Sequence, residues 1–310
     1  SGASYPDCQE QAKITAYGGL YITKTRILLA GIAISMAPLA EAVPVIYSSM
    51  TTSGAGDIAF NAVIDSFRSG LGGVLNPPGA CAPGPCTTGR REINWDAVTP
   101  AFSSPNAFPG DFFNGTTGVQ PAGRIRGATF TTPGTGFRVS ASEFSDEVGF
   151  GPAEFDAFSP ARLFASMGSN ITDVTFSVPG SPGLAATVRG MGVVFADVDY
   201  TGSASLEFFD TSGASLGLFP VEGVFPTADG RNSQGSFSFL GVSFDSDERV
   251  SRVRIVSGAH GIDGTYTGLD DAVVMDDFIY AEPQAVPEPL TGTLIGAGLA
   301  GLLAFRRRST

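Results

Sequence analysis

Residues 186–199 read Ala-Thr-Val-Arg-Gly-Met-Gly-Val-Val-Phe-Ala-Asp-Val-Asp. The stretch is an apolar strand candidate, and because side chains alternate along a strand, Phe195, Asp197 and Asp199 share one face. An apolar start and an acidic end place a core under the first part and solvent at the second. The same texture recurs on both sides, as short apolar runs with turn residues between them. The runs are 91–95, 127–131, 136–141, 161–166, 171–177, 204–210, 214–221, 236–244, 250–257 and 271–281. No repeat with a period of roughly 20–50 residues is evident. Strands without intervening helices predict a mainly β chain, a jelly-roll-like β-sandwich whose two sheets bury their inner faces.

One short helix precedes them. Phe60, Val63, Ile64, Phe67 and Leu71 recur at three and four residues, one face of a helix from Asp57 to Leu71. Asp57 is placed to cap it and Gly72-Gly73 to stop it. The core would draw on Phe130, Phe137, Phe176, Phe195, Phe208, Phe239, Phe244 and Phe278, all in strand candidates. Phe102, Phe108, Phe112 and Phe113 fall in a Pro/Ser/Asn/Gly loop and are expected to plug an open edge of the sandwich, and so aromatic a loop is a secondary site candidate.

Both ends of the chain carry a different signal. Lys24-Thr25-Arg26, the apolar Ile27–Leu39 and Ala40-Glu41-Ala42 have the order of a secretory signal peptide, cleaved after Ala42. Residues 1–23 in front of it read as an extension. At the other end come Val286-Pro287-Glu288-Pro289, an uncharged run from Leu290 to Phe305, and Arg306-Arg307-Arg308. At ~1.5 Å per residue the run makes roughly 24 Å of helix, enough for a slightly short membrane span. The Arg cluster would remain cytoplasmic, with the rest of the chain outside.

This three-part tail resembles the PEP-CTERM sorting signal of Gram-negative bacteria that make exopolysaccharide. The resemblance implies processing at residues 286–289 by an exosortase, export through the Sec machinery, transient inner-membrane anchoring, and a final place at the cell surface or outside the cell. Residues 43–285 would then be one exported domain, and 286–310 the sorting signal. The body also resembles a recurring group of exported bacterial proteins of unknown function. The residues that carry this are Gly89–Asp96, Asp111–Asn114, Thr132–Phe137, Val188–Asp199, Leu206–Asp210 and Val273–Tyr280. That resemblance implies a β-sandwich and export, and hands over no catalytic residue.

The chain has net charge −12, and both of its lysines, Lys13 and Lys24, lie in the N-terminal part that export removes. Binding nucleic acid by phosphate neutralisation is therefore excluded. Cys81 and Cys86, in a Gly/Pro-rich stretch of an exported chain, predict a small disulfide loop.

Candidate chemistry is sparse. The single His, His260, sits in a Gly-flanked loop without a nucleophile motif, and reads as a surface residue. Asp197 and Asp199, at i and i+2, with Asp270 and Asp271 at a strand's mouth, are the candidate ligands of a structural Ca²⁺. The alternative is solvated carboxylates bonded to turn amides. Asp276 and Asp277 are expected to point to opposite faces of their strand. Trp95 with Asp96 is the candidate sugar contact, an aromatic face beside a polar group, against the alternative of a Trp half buried at a sheet margin. The expected function is a non-catalytic surface or matrix protein that binds exopolysaccharide. A structural envelope protein without a ligand, or a carboxylate-based glycosidase, are the alternatives.

Overall fold

The computed structural model describes residues 43–115, 121–147, 149–151, 154–228, 231–245, 249–264 and 270–286. The extension 1–23, the signal peptide and the sorting tail from Pro287 through Arg306, Arg307 and Arg308 lie outside them. Among the described residues no helix is long and apolar enough to cross a membrane.

The described residues begin with β1 (Pro44–Thr51) and α1 (Ile58–Gly70), the single α-helix among them. The chain continues through β2 (Arg90–Ile93), β3 (Ala128–Thr131), β4 (Gly136–Val139), β5 (Phe164–Met167), β6 (Ile171–Val178) and β7 (Ser181–Thr187). It closes with β8 (Gly190–Ala196), β9 (Ser205–Phe209), β10 (Ser215–Pro220), β11 (Phe237–Phe244), β12 (Arg252–Val256), β13 (Val274–Ala281) and β14 (Gln284–Ala285). Two antiparallel sheets form. One has the order β1-β11-β8-β13-β5-β4, with β2 on β13; the other runs β10-β9-β12-β6-β7-β14, with β3 on β6.

The expected mainly β chain with one helix is what forms. The helix begins as its sequence dictates: Asp57 Oδ1 accepts from the amides of Ala59 and Phe60. It buries Phe60, Ile64 and Phe67 against the outer face of the first sheet, where Phe60 meets Phe237 and Phe67 meets Phe239 and Tyr47. With a helix on one face and the second sheet on the other, β8, β11 and β13 are buried along their whole length. That explains why these strands read as continuous apolar runs rather than alternating ones.

Between the sheets lies an aromatic core. Phe130, Phe164 and Phe278 surround Trp95, Phe176 packs on Tyr280, and Phe208 on Phe244. Each fully buried large apolar side chain contributes about 1.5–3 kcal/mol.

Three expectations need correction. Residues 186–199 are two strands in different sheets: β7 ends at Thr187, and β8 starts at Gly190 after crossing over through Val188-Arg189. Only glycine fits at the new start, since a Cβ on Gly190 would meet the Val242 carbonyl oxygen at 2.6 Å. β1 has no counterpart in the sequence reading because, as an edge strand paired only with β11, it is largely exposed and does not alternate. Asp276 and Asp277 do not point apart. The register of β13 against β8 shifts between Met275 and Phe278, and this bulge turns both carboxyls toward Ser159 Oγ, 2.9 Å from each.

Candidate functional site

The acidic end of β8 assembles first. After Ala196 the backbone of Asp197 takes φ 67°, a left-handed conformation that ends the strand, so strand alternation does not carry on to Asp199. Asp197, Asp199 and Asp271 are nonetheless all buried there. Asp271 Oδ2 accepts from the amides of Asp199 (2.9 Å) and Tyr200 (3.2 Å) and from Ser203 Oγ. Asp199 Oδ1 accepts from the amide of Ser233 (2.5 Å) and from its Oγ (2.8 Å). Burial, aided by the negative charges of Asp199, Glu154 and Asp271, pushes Asp197 up to about 9, and burial pushes Asp271 up to about 6.

This donor set does not fit the expected Ca²⁺ site. Among the described residues no three His, Cys, Asp or Glu side chains are arranged to hold a metal ion. Asp199 and Asp271 each commit an oxygen to N–H and O–H donors. Asp270 turns away to lie 3.6 Å from Nε2 of His260, on a half-exposed loop. The end is a buried carboxyl cluster, hydrogen-bonded except at Asp271 Oδ1, which has no partner among the described residues.

Trp95 is also displaced from its expected role. It is 1 % exposed, stacks on Phe164 with ring centroids 4.1 Å apart, and donates Nε1–H to the Asp276 carbonyl at 2.7 Å. No face remains for a sugar to stack on. Its neighbour Asp96 binds inward instead, accepting from the amide of Ala161 at 2.8 Å and from Asn94 Nδ2 at 2.9 Å.

Cys81 and Cys86 are bonded, with Cα atoms 5.3 Å apart. The loop they close sits on the chain's exit: Cys86 N donates to Glu282 Oε1, and Cys86 O accepts from Gln284 Nε2. The last backbone bond among the described residues, Val286 N to Ala185 O, falls immediately before Pro287.

The loop of Phe112 and Phe113, a secondary site candidate in the sequence, borders a cleft on either side of Asn94 and Arg126, two residues the sequence reading did not connect to it. One side is a cavity of about 170 Å³ whose lining includes Val98, Thr99, Phe112 and Arg124. The other, about 360 Å³, is lined by Arg68, Asn76, Glu92 and Asp277 among others. The Arg124 guanidinium carbon stands 4.0 Å from the Phe112 ring centroid and 4.8 Å from that of Phe102, and Arg126 stands 4.8 Å over Phe113. The loop aromatics therefore plug the edge as expected and also hold two cations. Arg126 NH1 donates to the Glu92 carbonyl at 2.9 Å, while its buried Nε has no partner among the described residues. Burial pulls Arg126 below the usual arginine range. The one sequence signal for this pair is the i, i+2 spacing of Arg124 and Arg126.

On the larger side, Arg68 NH2 lies 3.1 Å from Glu92 Oε2 and 3.7 Å from Asp277 Oδ2, so one guanidinium stands between the two carboxylates. Burial raises both Asp276 and Asp277, and the adjacent pair retains a proton. Comparison with family models, with curated proteins and with solved structures returns no match.

Proposed function

We propose that the chain is an exported, exosortase-processed surface or extracellular-matrix protein whose β-sandwich is a non-catalytic module binding exopolysaccharide. Export rests on the signal peptide at 24–42 and on the resemblance of 286–310 to a PEP-CTERM tail, with the run 290–305 as its transmembrane helix. The exosortase and the Sec machinery are the partners this implies. The position of Val286 supports it, since the last strand among the described residues, β14, ends at Ala285, next to Val286 of the box. A disulfide loop suits the same compartment. The finer fold reading is a jelly roll. Strand orders β5-β13-β8-β11 in one sheet and β6-β12-β9-β10 in the other support it, because the chain changes sheet from β5 to β6, from β8 to β9 and at each step from β10 to β13, while β9 and β10 pair within the second sheet.

The observation that carries the binding reading is the contrast between two kinds of site. Most oxygens of the buried carboxyls are held by hydrogen bonds or by Arg68, whereas the cleft beside Arg124 presents guanidinium groups that have no carboxylate partner among the described residues. Co-sedimentation of the purified protein with exopolysaccharide of a producing strain tests it, with Ca²⁺ and with EDTA. Pelleting to the same extent in both buffers is expected. Absence of pelleting in both would leave the structural envelope role.

A glycosidase remains the second reading because Glu92 and Asp277 border the larger cavity and burial raises Asp277 to about 6, the state of a general acid. Against it, Arg68 fills the gap where a sugar would have to lie. Release of reducing ends from the polysaccharide, abolished in Asp277→Asn, would establish hydrolysis; none is expected.

A further inference from the structure

We infer that the smaller cavity, at Arg124 and Arg126, binds the carboxylate of an acidic sugar, a hexuronate unit. The inference rests on the binding-module reading and names its ligand chemistry. It starts from a charge anomaly. In a chain of net charge −12, arginines are expected to find acids, and most do: Arg68 and Arg90 pair with Glu92, Arg91 with Glu282, Arg138 with Glu147, and Arg252 and Arg254 with Asp173. Arg124 and Arg126 have no carboxylate partner among the described residues, although they line one cavity together.

A partly buried cation without a counter-charge is costly unless something supplies it. Here the guanidinium groups are also fixed. Phe102 and Phe112 hold the plane of Arg124, and Phe113 and the Glu92 carbonyl hold Arg126, so little freedom is lost when a ligand arrives. A fixed planar fork matches a carboxylate in two parallel hydrogen bonds. The rest of the lining selects among carboxylates. Asn94 and Thr99 offer hydrogen bonds, while Val98 and the Phe112 edge are apolar, the mixed surface that suits a sugar ring. About 170 Å³ is below the size of a drug-like pocket and admits one unit or a side group, not a wrapped chain.

Trp95 lines the same cavity and is the only tryptophan, so its emission is a built-in reporter. The experiment titrates the full chain, in mild detergent, with sodium glucuronate, with glucose and with sodium sulfate at constant ionic strength, following Trp95 fluorescence. Glucuronate is expected to give a saturable change, with glucose and sulfate giving none. Arg124→Gln is expected to weaken glucuronate binding by at least about tenfold. Arg124→Lys keeps the charge but loses the fork, and is expected to weaken it while leaving the ligand-free emission spectrum unchanged. A flat glucuronate titration, an equal response to sulfate, or undiminished binding by a folded Arg124→Lys variant would each overturn the assignment. Polymer co-sedimentation is read separately: glucuronate binding without pelleting removes the exopolysaccharide reading and supports this site, and pelleting without glucuronate binding does the reverse.

Discussion

Arg91 and Glu282 face each other in the interior, 1 % and 2 % exposed, joined by Nε to Oε2 at 2.7 Å and NH2 to Oε1 at 2.8 Å. The pair stitches β2 to the exit of β13. Glu282 also accepts from Asn76 Nδ2 and from the Cys86 amide, and Arg91 NH2 donates to the Ala80 carbonyl. Removing one partner leaves the other charge buried and unpaired, so Glu282→Ala should cost about 3–5 kcal/mol. Replacing both by apolar residues, as in Arg91→Met with Glu282→Leu, should recover a large part of that loss. Urea unfolding of the three variants decides it; equal destabilisation by single and double changes would mean that the backbone contacts matter more than the charges.

The buried acids make a pH prediction whose sign is fixed. Asp197 titrates near 3.8 when unfolded and at about 9 when folded, so the folded state binds the extra proton between those values. Its contribution is intact below about pH 4 and is lost as pH rises toward 9, at up to ~1.4 kcal/mol per pH unit. Asp57, Asp146, Asp173 and Asp210 are held below the usual range and act oppositely, their stabilisation vanishing as pH falls below about 4. Stability should therefore peak at mildly acidic pH. Asp197→Asn should leave the urea midpoint near wild type at about pH 4 and raise it progressively above wild type as pH climbs to about 8. EDTA should change neither. A wild-type midpoint that climbs between pH 5 and 8 would contradict the account.

Local periodicity was legible, and long-range placement was not. Phe60, Ile64 and Phe67 announce α1 by spacing, and Asp57 announces its start, because a helix is specified by neighbours in the chain. The Cys81–Cys86 loop is equally local. The fate of Asp276 and Asp277 was hidden because their common orientation comes from a bulge against β8, which alternation within β13 does not encode. The cleft was hidden for a related reason: Asn94, Thr99, Phe112 and Arg126 come together only when β2 and β3 join different sheets. Trp95 is the intermediate case. Its alternation with Ile93 and Arg91 pointed inward, but a lone Trp beside an Asp has the same sequence signature as a sugar platform.

Trp95 separates those two readings by a simple measurement. Enclosed by Phe108, Phe113, Phe130, Phe164 and Phe278, it should emit at short wavelength and resist acrylamide quenching until the chain unfolds. Trp95→Ala should cost about 3–5 kcal/mol as a core truncation. Strong quenching in native buffer would restore the exposed platform.

The disulfide loop should contribute modestly. Closing a loop whose cysteines are 5 apart in sequence constrains the unfolded chain by about 2 kcal/mol on the loop-entropy scale. Cys81→Ser with Cys86→Ser should destabilise by about that much in urea. Because Cys86 contacts Glu282 through its amide and Gln284 through its carbonyl, the same variant should also increase hydrogen exchange at Val286, the first residue of the proposed processing box. Unchanged exchange there would show that β14 holds the exit without the loop.

Finally, the seat of α1 is cut to one side chain. Phe67 rests over Gly192 and Gly241, paired neighbours on β8 and β11, where an added Cβ would come within 2.7 Å of its ring. Neither glycine has a positive φ, so the requirement is for room. Gly241→Ala should therefore lift the helix from the sheet and cost about 1–3 kcal/mol, the usual range for overpacking. Phe67→Leu frees space above the glycine. Combined with Gly241→Ala it should destabilise less than the sum of the two single changes, since they share one contact. Strict additivity in urea unfolding would place the clash elsewhere.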